Sequence, residues 1–186
     1  MTQEYSIVIS GFGGQGTLFA GQLLAYAAMD NGYEVTWIPS YGPEMRGGTA
    51  HCTVIISDGE IGSPVTRSPY AVIGLNLPSV DKYEPVIPVG GILIANQSLM
   101  NRELVRTDIN GVLIPASEIA EELGNKQMTN MVAVGALLKH LPVLSVGTLE
   151  QALKDHLPPR KQKWLPANVT AMTKGYEFAQ QAVVTS

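Results

Sequence analysis

An apolar run, Ile7-Val8-Ile9, passes directly into Ser10-Gly11-Phe12-Gly13-Gly14-Gln15-Gly16-Thr17 and from there into a helical pattern. No other stretch restricts the fold as much, because a strand that enters a glycine turn and leaves it as a helix belongs to layered α/β architectures. Gly11, Gly13 and Gly16 fit the spacing G-x-G-x-x-G. In that pattern the first glycine permits a tight turn, the second lets backbone approach a ligand, and the third lets helix pack closely on strand. Amide groups at a helix start lack partners within the helix, so they suit an anion such as a phosphate. The plain alternative is that the glycines serve only a close strand-to-helix turn.

The residues from Leu18 to Met29 are apolar nearly all round, which predicts a helix buried between a sheet and its neighbours. Asn31-Gly32 suits its C-terminal cap, and Tyr33 to Ile38 alternates and β-branches like a second strand. Together they predict a right-handed strand–helix–strand crossover. An ordinary NAD site would place an acidic residue about 20 positions beyond the glycines, at the end of the second strand. This strand ends in Trp37-Ile38-Pro39-Ser40, and Glu34 lies at its other end, so NAD is disfavoured.

Ser40-Tyr41-Gly42-Pro43-Glu44-Met45-Arg46-Gly47-Gly48-Thr49 is too rich in glycine and proline for regular structure. Leaving the carboxyl end of the second strand, it belongs at the same sheet edge as the glycine loop, where ligands of open α/β sheets bind. Arg46 could clamp a phosphate through its planar fork, with Glu44 holding the fork and Tyr41 covering an aromatic ring or a neighbouring subunit. A solvated Arg46–Glu44 pair on a turn is the alternative.

Further along, Ala50 to Ser57 reads as a third strand, and Asp58-Gly59 as a hairpin leading into Glu60 to Pro64. His51 and Cys52 point to opposite faces of that strand, so they cannot pair as base and nucleophile. Short strands follow at Ala71 to Leu75, Gly91 to Ala95 and Gly111 to Pro115, with a brief helix carrying Val80 and Tyr83 after the first. Asn96 to Asn110 suggests loops around a short helix, and Ala116 to Gly124 an exposed helix with one apolar stripe. Asn130 to Leu138 is the most apolar helical run, capped by Thr129; Ala133, Gly135 and Ala136 would admit a second backbone, and Asn130 could reach a ligand. Helices at 148–156 and from Pro166 to Val183 complete the chain, separated by a break at Leu157-Pro158-Pro159 and the basic cluster Arg160, Lys161, Lys163, which reads as a solvated turn or a contact for an acidic partner.

The expected fold is a Rossmann-like layered α/β fold with a mixed, mainly parallel sheet flanked by helices. The 186 residues suit a single domain, 1–186, with 148–186 as a C-terminal helical extension. A net charge of -4 argues against nucleic acid or an anionic membrane as the general partner, and no apolar run approaches the roughly 20 residues of a spanning helix. Without a signal-like start, the expected compartment is the cytoplasm. One cysteine cannot hold zinc or an iron–sulfur cluster by itself. No catalytic constellation, metal cluster or Walker loop is present in the sequence. These residues describe a domain that binds a phosphate-containing cofactor and leaves the chemistry to a partner chain.

The pairing of Gly11-Phe12-Gly13-Gly14-Gln15-Gly16 with Ser40 to Thr49, followed by the strand Ala50 to Ile56, resembles the gamma subunit of 2-oxoacid:ferredoxin oxidoreductases. The resemblance covers nearly the whole chain, Asn130-Met131 included, and is greatest to the 2-oxoglutarate type, with the pyruvate and branched-chain types close behind. It implies a complex that oxidatively decarboxylates a 2-oxoacid, joins the acyl group to coenzyme A and passes two electrons to ferredoxin or a similar acceptor. Thiamine diphosphate and iron–sulfur clusters would lie on partner subunits, alpha, beta and a delta where one exists. The resemblance assigns coenzyme A contact to Gly11, Gly13, Gly14, Gln15 and Gly16, and to Tyr41, Glu44, Arg46 and Gly47, with no catalytic residue and no metal ligand in this chain. Two other classes stay open: a stand-alone NAD- or flavin-dependent dehydrogenase, and a non-enzymatic interaction or regulatory subunit.

Overall fold

A computed structural model describes residues 2–41 and 49–181. Its centre is one six-stranded sheet of order β2-β3-β1-β4-β5-β6. The strands are β1 (Glu4–Phe12), β2 (Glu34–Tyr41), β3 (Thr49–Ser57), β4 (Ala71–Gly74), β5 (Ile92–Asn96) and β6 (Asn110–Ile114). The helices are α1 (Thr17–Asp30), α2 (Leu77–Tyr83), α3 (Ala116–Glu122), α4 (Thr129–His140), α5 (Val146–His156) and α6 (Leu165–Gln181). From β1 through β4 and β5 to β6 neighbouring strands run parallel, while β3 lies antiparallel between β1 and β2. The expected mixed, mainly parallel sheet is therefore present.

The antiparallel part arises differently from the expected hairpin. Residues 60–64 form no strand. With β1 on one side of β3 and β2 on the other, no edge of β3 is left for them. Asp58 instead turns back on the start of β1: its N–H donates to Gln3 O at 3.3 Å and its Oδ1 accepts Gln3 N–H at 2.8 Å. For the same reason β1 and β2 do not pair directly, although they point the same way.

Strand β1 is apolar at successive positions because both its faces are covered. Ile7 and Ile9 enter the large core against α1 and α4, and Val8 enters a smaller one with Val72, Val80, Leu93 and Ile109. On the large-core side, α4 and α6 touch backbone to backbone. A Cβ on Gly135 would stand 1.9 Å from Met172 O, and one on Gly175 would stand 1.8 Å from Val132 O. The small residues of α4 do admit a second backbone, that of α6. At the far end of α1, His156 of α5 stacks on Tyr26 at 4.0 Å and places Nε2 2.8 Å from Asp30 Oδ2, joining α5 to α1.

Three local expectations change. Thr129 does not cap α4: the cap position is Met128, and the Thr129 hydroxyl donates to Lys126 O at 2.9 Å. Helix α5 starts at Val146, because Ser145 and Thr148 form a reciprocal capping box upstream of the expected start. Between Asn96 and Asn110 there is a 3₁₀ turn at Gln97–Leu99 followed by irregular chain. That chain is fastened by ions rather than by helix: the buried Glu84 carboxylate accepts from Arg102 Nη2 and from the N–H groups of Val105 and Arg106. No helix among the described residues is long and apolar enough to cross a membrane.

Candidate functional site

At the carboxyl end of β1 the chain turns through Gly13, Gly14, Gln15 and Gly16 into α1. Positive φ falls on Gly14 at 95° and Gly16 at 75°, conformations that other residues adopt only with strain. Gly11 has another reason to be glycine. It is still within β1, paired with Ala50, and a Cβ there would meet Gln15 Oε1 at 2.5 Å. The close packing of helix on strand expected of the third glycine is performed by Gly21, where a Cβ would stand 2.3 Å from Cys52 Sγ. Gly16 instead makes room for Asn130, whose Nδ2 would lie 2.5 Å from a Cβ.

Three side-chain amides hold the loop. Gln15 Oε1 accepts Phe12 N–H at 2.6 Å, while Gln15 N–H donates to Phe12 O at 3.1 Å. Asn76 Nδ2 reaches Gln15 Oε1 at 3.5 Å, while Asn76 Oδ1 caps α2 by accepting Ser79 N–H at 3.0 Å. From α4, Asn130 Nδ2 donates to Gly16 O at 3.1 Å and its Oδ1 accepts Met131 N–H at 2.9 Å. Gln15 and Asn130 are thus engaged with the backbone of the loop and of α4. Sequence spacing gave no sign of this bracing, since Gly16 and Asn130 are 114 residues apart.

The loop opens on a cleft of about 380 Å³. Gly14, Gly16 and Phe19 line it beside Gln127, Met128 and Asn130 at the start of α4, and Leu157, Lys161, Trp164 and Asn168 complete the lining. Neither α1 nor α4 has a side-chain cap or an acidic residue in its first turn. Two helix starts with their partial positive charge therefore meet a cleft in which Lys161 is the one charged lining residue among the described residues. Such a site can hold an anion. Lys161 belongs to the basic cluster read from the sequence as a solvated turn or a contact for an acidic partner, and Trp164 follows directly after that cluster. Their place here depends on the return of the chain between α5 and α6, which local pattern does not encode.

Glu44, Arg46 and Gly47 lie outside the described residues, and so does the side chain of Tyr41. The ends of their loop are fixed by the sheet: Tyr41 pairs with Ala50, and Thr49 pairs with Phe12, beside the glycine turn. Glu34 begins β2, at the other end of the sheet from the glycine turn. Cys52 is fully buried, its Sγ 3.4 Å from Thr17 O, and burial pushes its thiol pKa up to about 11, so it is no nucleophile. His51 lies 6.3 Å from the Tyr83 ring; burial, then Lys82, lowers its pKa. No group of His, Cys, Asp or Glu among the described residues could hold a metal ion.

Residues 6–178 match the pyruvate ferredoxin/flavodoxin oxidoreductase family, and the chain belongs to it. It is 34% identical over 178 residues to the 2-oxoglutarate synthase subunit KorC of Methanocaldococcus jannaschii, covering 94% of both chains. It is also 33% identical over 181 residues to the ketoisovalerate oxidoreductase subunit VorA of Methanothermobacter thermautotrophicus, covering 97% of this chain but only 37% of that one. The gamma subunit of a keto/oxoacid ferredoxin oxidoreductase from Geobacter sulfurreducens superposes with a TM-score of 0.82 at 30% identity, over 97% of this chain and 98% of that one. A 2-oxoglutarate:ferredoxin oxidoreductase chain from Magnetococcus marinus, solved with 2-oxoglutarate, coenzyme A and succinyl-CoA, shares the fold at a TM-score of 0.87 and 23% identity, over 98% of this chain and 32% of that one.

Proposed function

We propose that this chain is the gamma subunit of a multi-subunit, cytoplasmic 2-oxoacid:ferredoxin oxidoreductase of the 2-oxoglutarate type. The complex converts a 2-oxoacid anion, coenzyme A and two oxidised ferredoxins into acyl-CoA, carbon dioxide, two reduced ferredoxins and a proton. In this reading residues 1–186 are one gamma-subunit domain, its C-terminal helical segment 148–186 included. Alpha and beta subunits, with a delta subunit where one exists, supply thiamine diphosphate and iron–sulfur clusters. Nothing among the described residues fits an iron–sulfur cluster: the single cysteine is buried, and there is no cluster of metal ligands. Coenzyme A does fit. Its diphosphate needs unpartnered amides and positive potential, which the glycine turn and the uncapped start of α1 supply, in a cleft that also holds Lys161. This cleft, in a family member without a catalytic constellation among its described residues, is the observation that carries the proposal.

Purification of the tagged chain from its native host without oxygen tests it. Larger subunits should come with it, together with coenzyme A-dependent oxidation of 2-oxoglutarate in preference to pyruvate. A chain that emerges alone, inactive with every 2-oxoacid and binding NAD or flavin, would contradict it.

A further inference from the structure

The segment between α5 and α6, Pro159–Trp164, is a 3₁₀ helix, in which side chains three positions apart eclipse. Lys161 and Trp164 therefore share one side of it, and both line the cleft. The segment is firmly held. Gln162 Nε2 donates to Lys154 O at 3.1 Å and to Leu157 O at 2.9 Å, tying it to the end of α5. From α6, the buried Asn168 donates through Nδ2 to Trp164 O at 2.8 Å. Despite this anchoring the Trp164 side chain stays 44% exposed, with Lys163 Nζ over its ring at 5.3 Å. Among the described residues Lys161 makes no salt bridge.

A planar ring and an ammonium carried on one side of an anchored segment, at a cleft that also presents loop amides, match the parts of a phosphorylated nucleoside. The base stacks on the ring and the ribose phosphate pairs with the ammonium. We propose that Trp164 and Lys161 form a subsite for the 3′-phosphoadenosine end of coenzyme A, with adenine on Trp164 and the 3′-phosphate on Lys161. In coenzyme A the base and this phosphate are carried by one ribose, as the ring and the ammonium are carried by one side of the segment. The inference rests on the reading that the glycine turn holds the cofactor's diphosphate.

The test uses the assembled oxidoreductase carrying Lys161→Ala, Trp164→Ala or Gly14→Ala, with KM measured for coenzyme A and for dephospho-coenzyme A, which lacks the 3′-phosphate. Lys161→Ala should raise the KM for coenzyme A roughly tenfold while changing that for dephospho-coenzyme A less than about twofold. Trp164→Ala should raise both by similar factors, roughly tenfold. In both variants kcat, the KM for the 2-oxoacid and the subunit composition should hold. An unchanged KM for coenzyme A in Lys161→Ala and Trp164→Ala, or loss of a subunit from either, overturns the subsite. Gly14→Ala separates the two levels, since its Cβ meets nothing within 4 Å but requires φ near 95°. If it alone raises the KM for coenzyme A, the glycine turn holds the cofactor and the subsite does not. If none of the three does, both readings fall.

Discussion

The glycine turn and the Glu84 knot are both dense in polar groups, yet they use them oppositely. Around Glu84 the charges of Asp81, Arg102, Arg106 and Asp108 are answered within the chain. Arg102 Nη2 bridges Glu84 Oε2 at 2.9 Å and Asp81 Oδ1 at 2.6 Å, and Arg106 pairs with Asp108 while donating to the carbonyls of Glu84 and Ile87. At the glycine turn the bracing is done by uncharged amides, Gln15, Asn76 and Asn130, and the positive charge on Lys161 and at the start of α1 has no acidic partner among the described residues. A closed network of ions fixes a loop. An open one, held rigid by neutral groups, is prepared for something outside the chain.

If that contrast is right, damage to the knot should appear in stability alone. Glu84→Ala removes the acceptor of the Val105 and Arg106 N–H groups and one of the two carboxylates on Arg102, and should cost about 3 kcal/mol in denaturant unfolding while leaving the KM for coenzyme A of the surviving complex unchanged. Damage to the turn should appear in both. Gly16→Ala requires φ 75° and pushes on Asn130, so it should cost about 2 kcal/mol of stability and raise the KM for coenzyme A several-fold. Asn130→Ala removes the hydrogen bond to Gly16 O and the one accepted from Met131 N–H. It should cost about 1 kcal/mol, with a KM rise out of proportion to that loss and kcat unchanged.

The smallest effect concerns His51, beside the knot's Tyr83. Its folded pKa is lowered, first by burial, so the folded state disfavours its proton. The stability it contributes is complete above its unfolded value, about 6.5, and declines as pH falls through that value toward the folded one. His51→Gln should flatten the unfolding free energy across that window by a fraction of a kilocalorie per mole, measured as denaturant midpoint against pH.

The order of strands and helices was legible because glycine turns and apolar runs are local signals. The place of β3 between β1 and β2 was not, since sequence pattern says that a strand exists and not which edge it takes. Of the site, the glycines were legible and their individual reasons were not. Gly11 yields to Gln15, Gly16 to Asn130, and the helix-to-strand approach belongs to Gly21, a residue outside the motif. Lys161 was legible only as part of a basic cluster and Trp164 carried no motif at all, because they meet the loop only through the packing of α4 against α6 and the turn that precedes it.

The most direct test of the account is hydrogen exchange of the intact oxidoreductase with and without coenzyme A. The amides of residues 13–18 and 161–164 should slow together when the cofactor binds. If both segments exchange at the same rate in its presence and absence, while the partner subunits change, the cleft of this chain is not where coenzyme A is held.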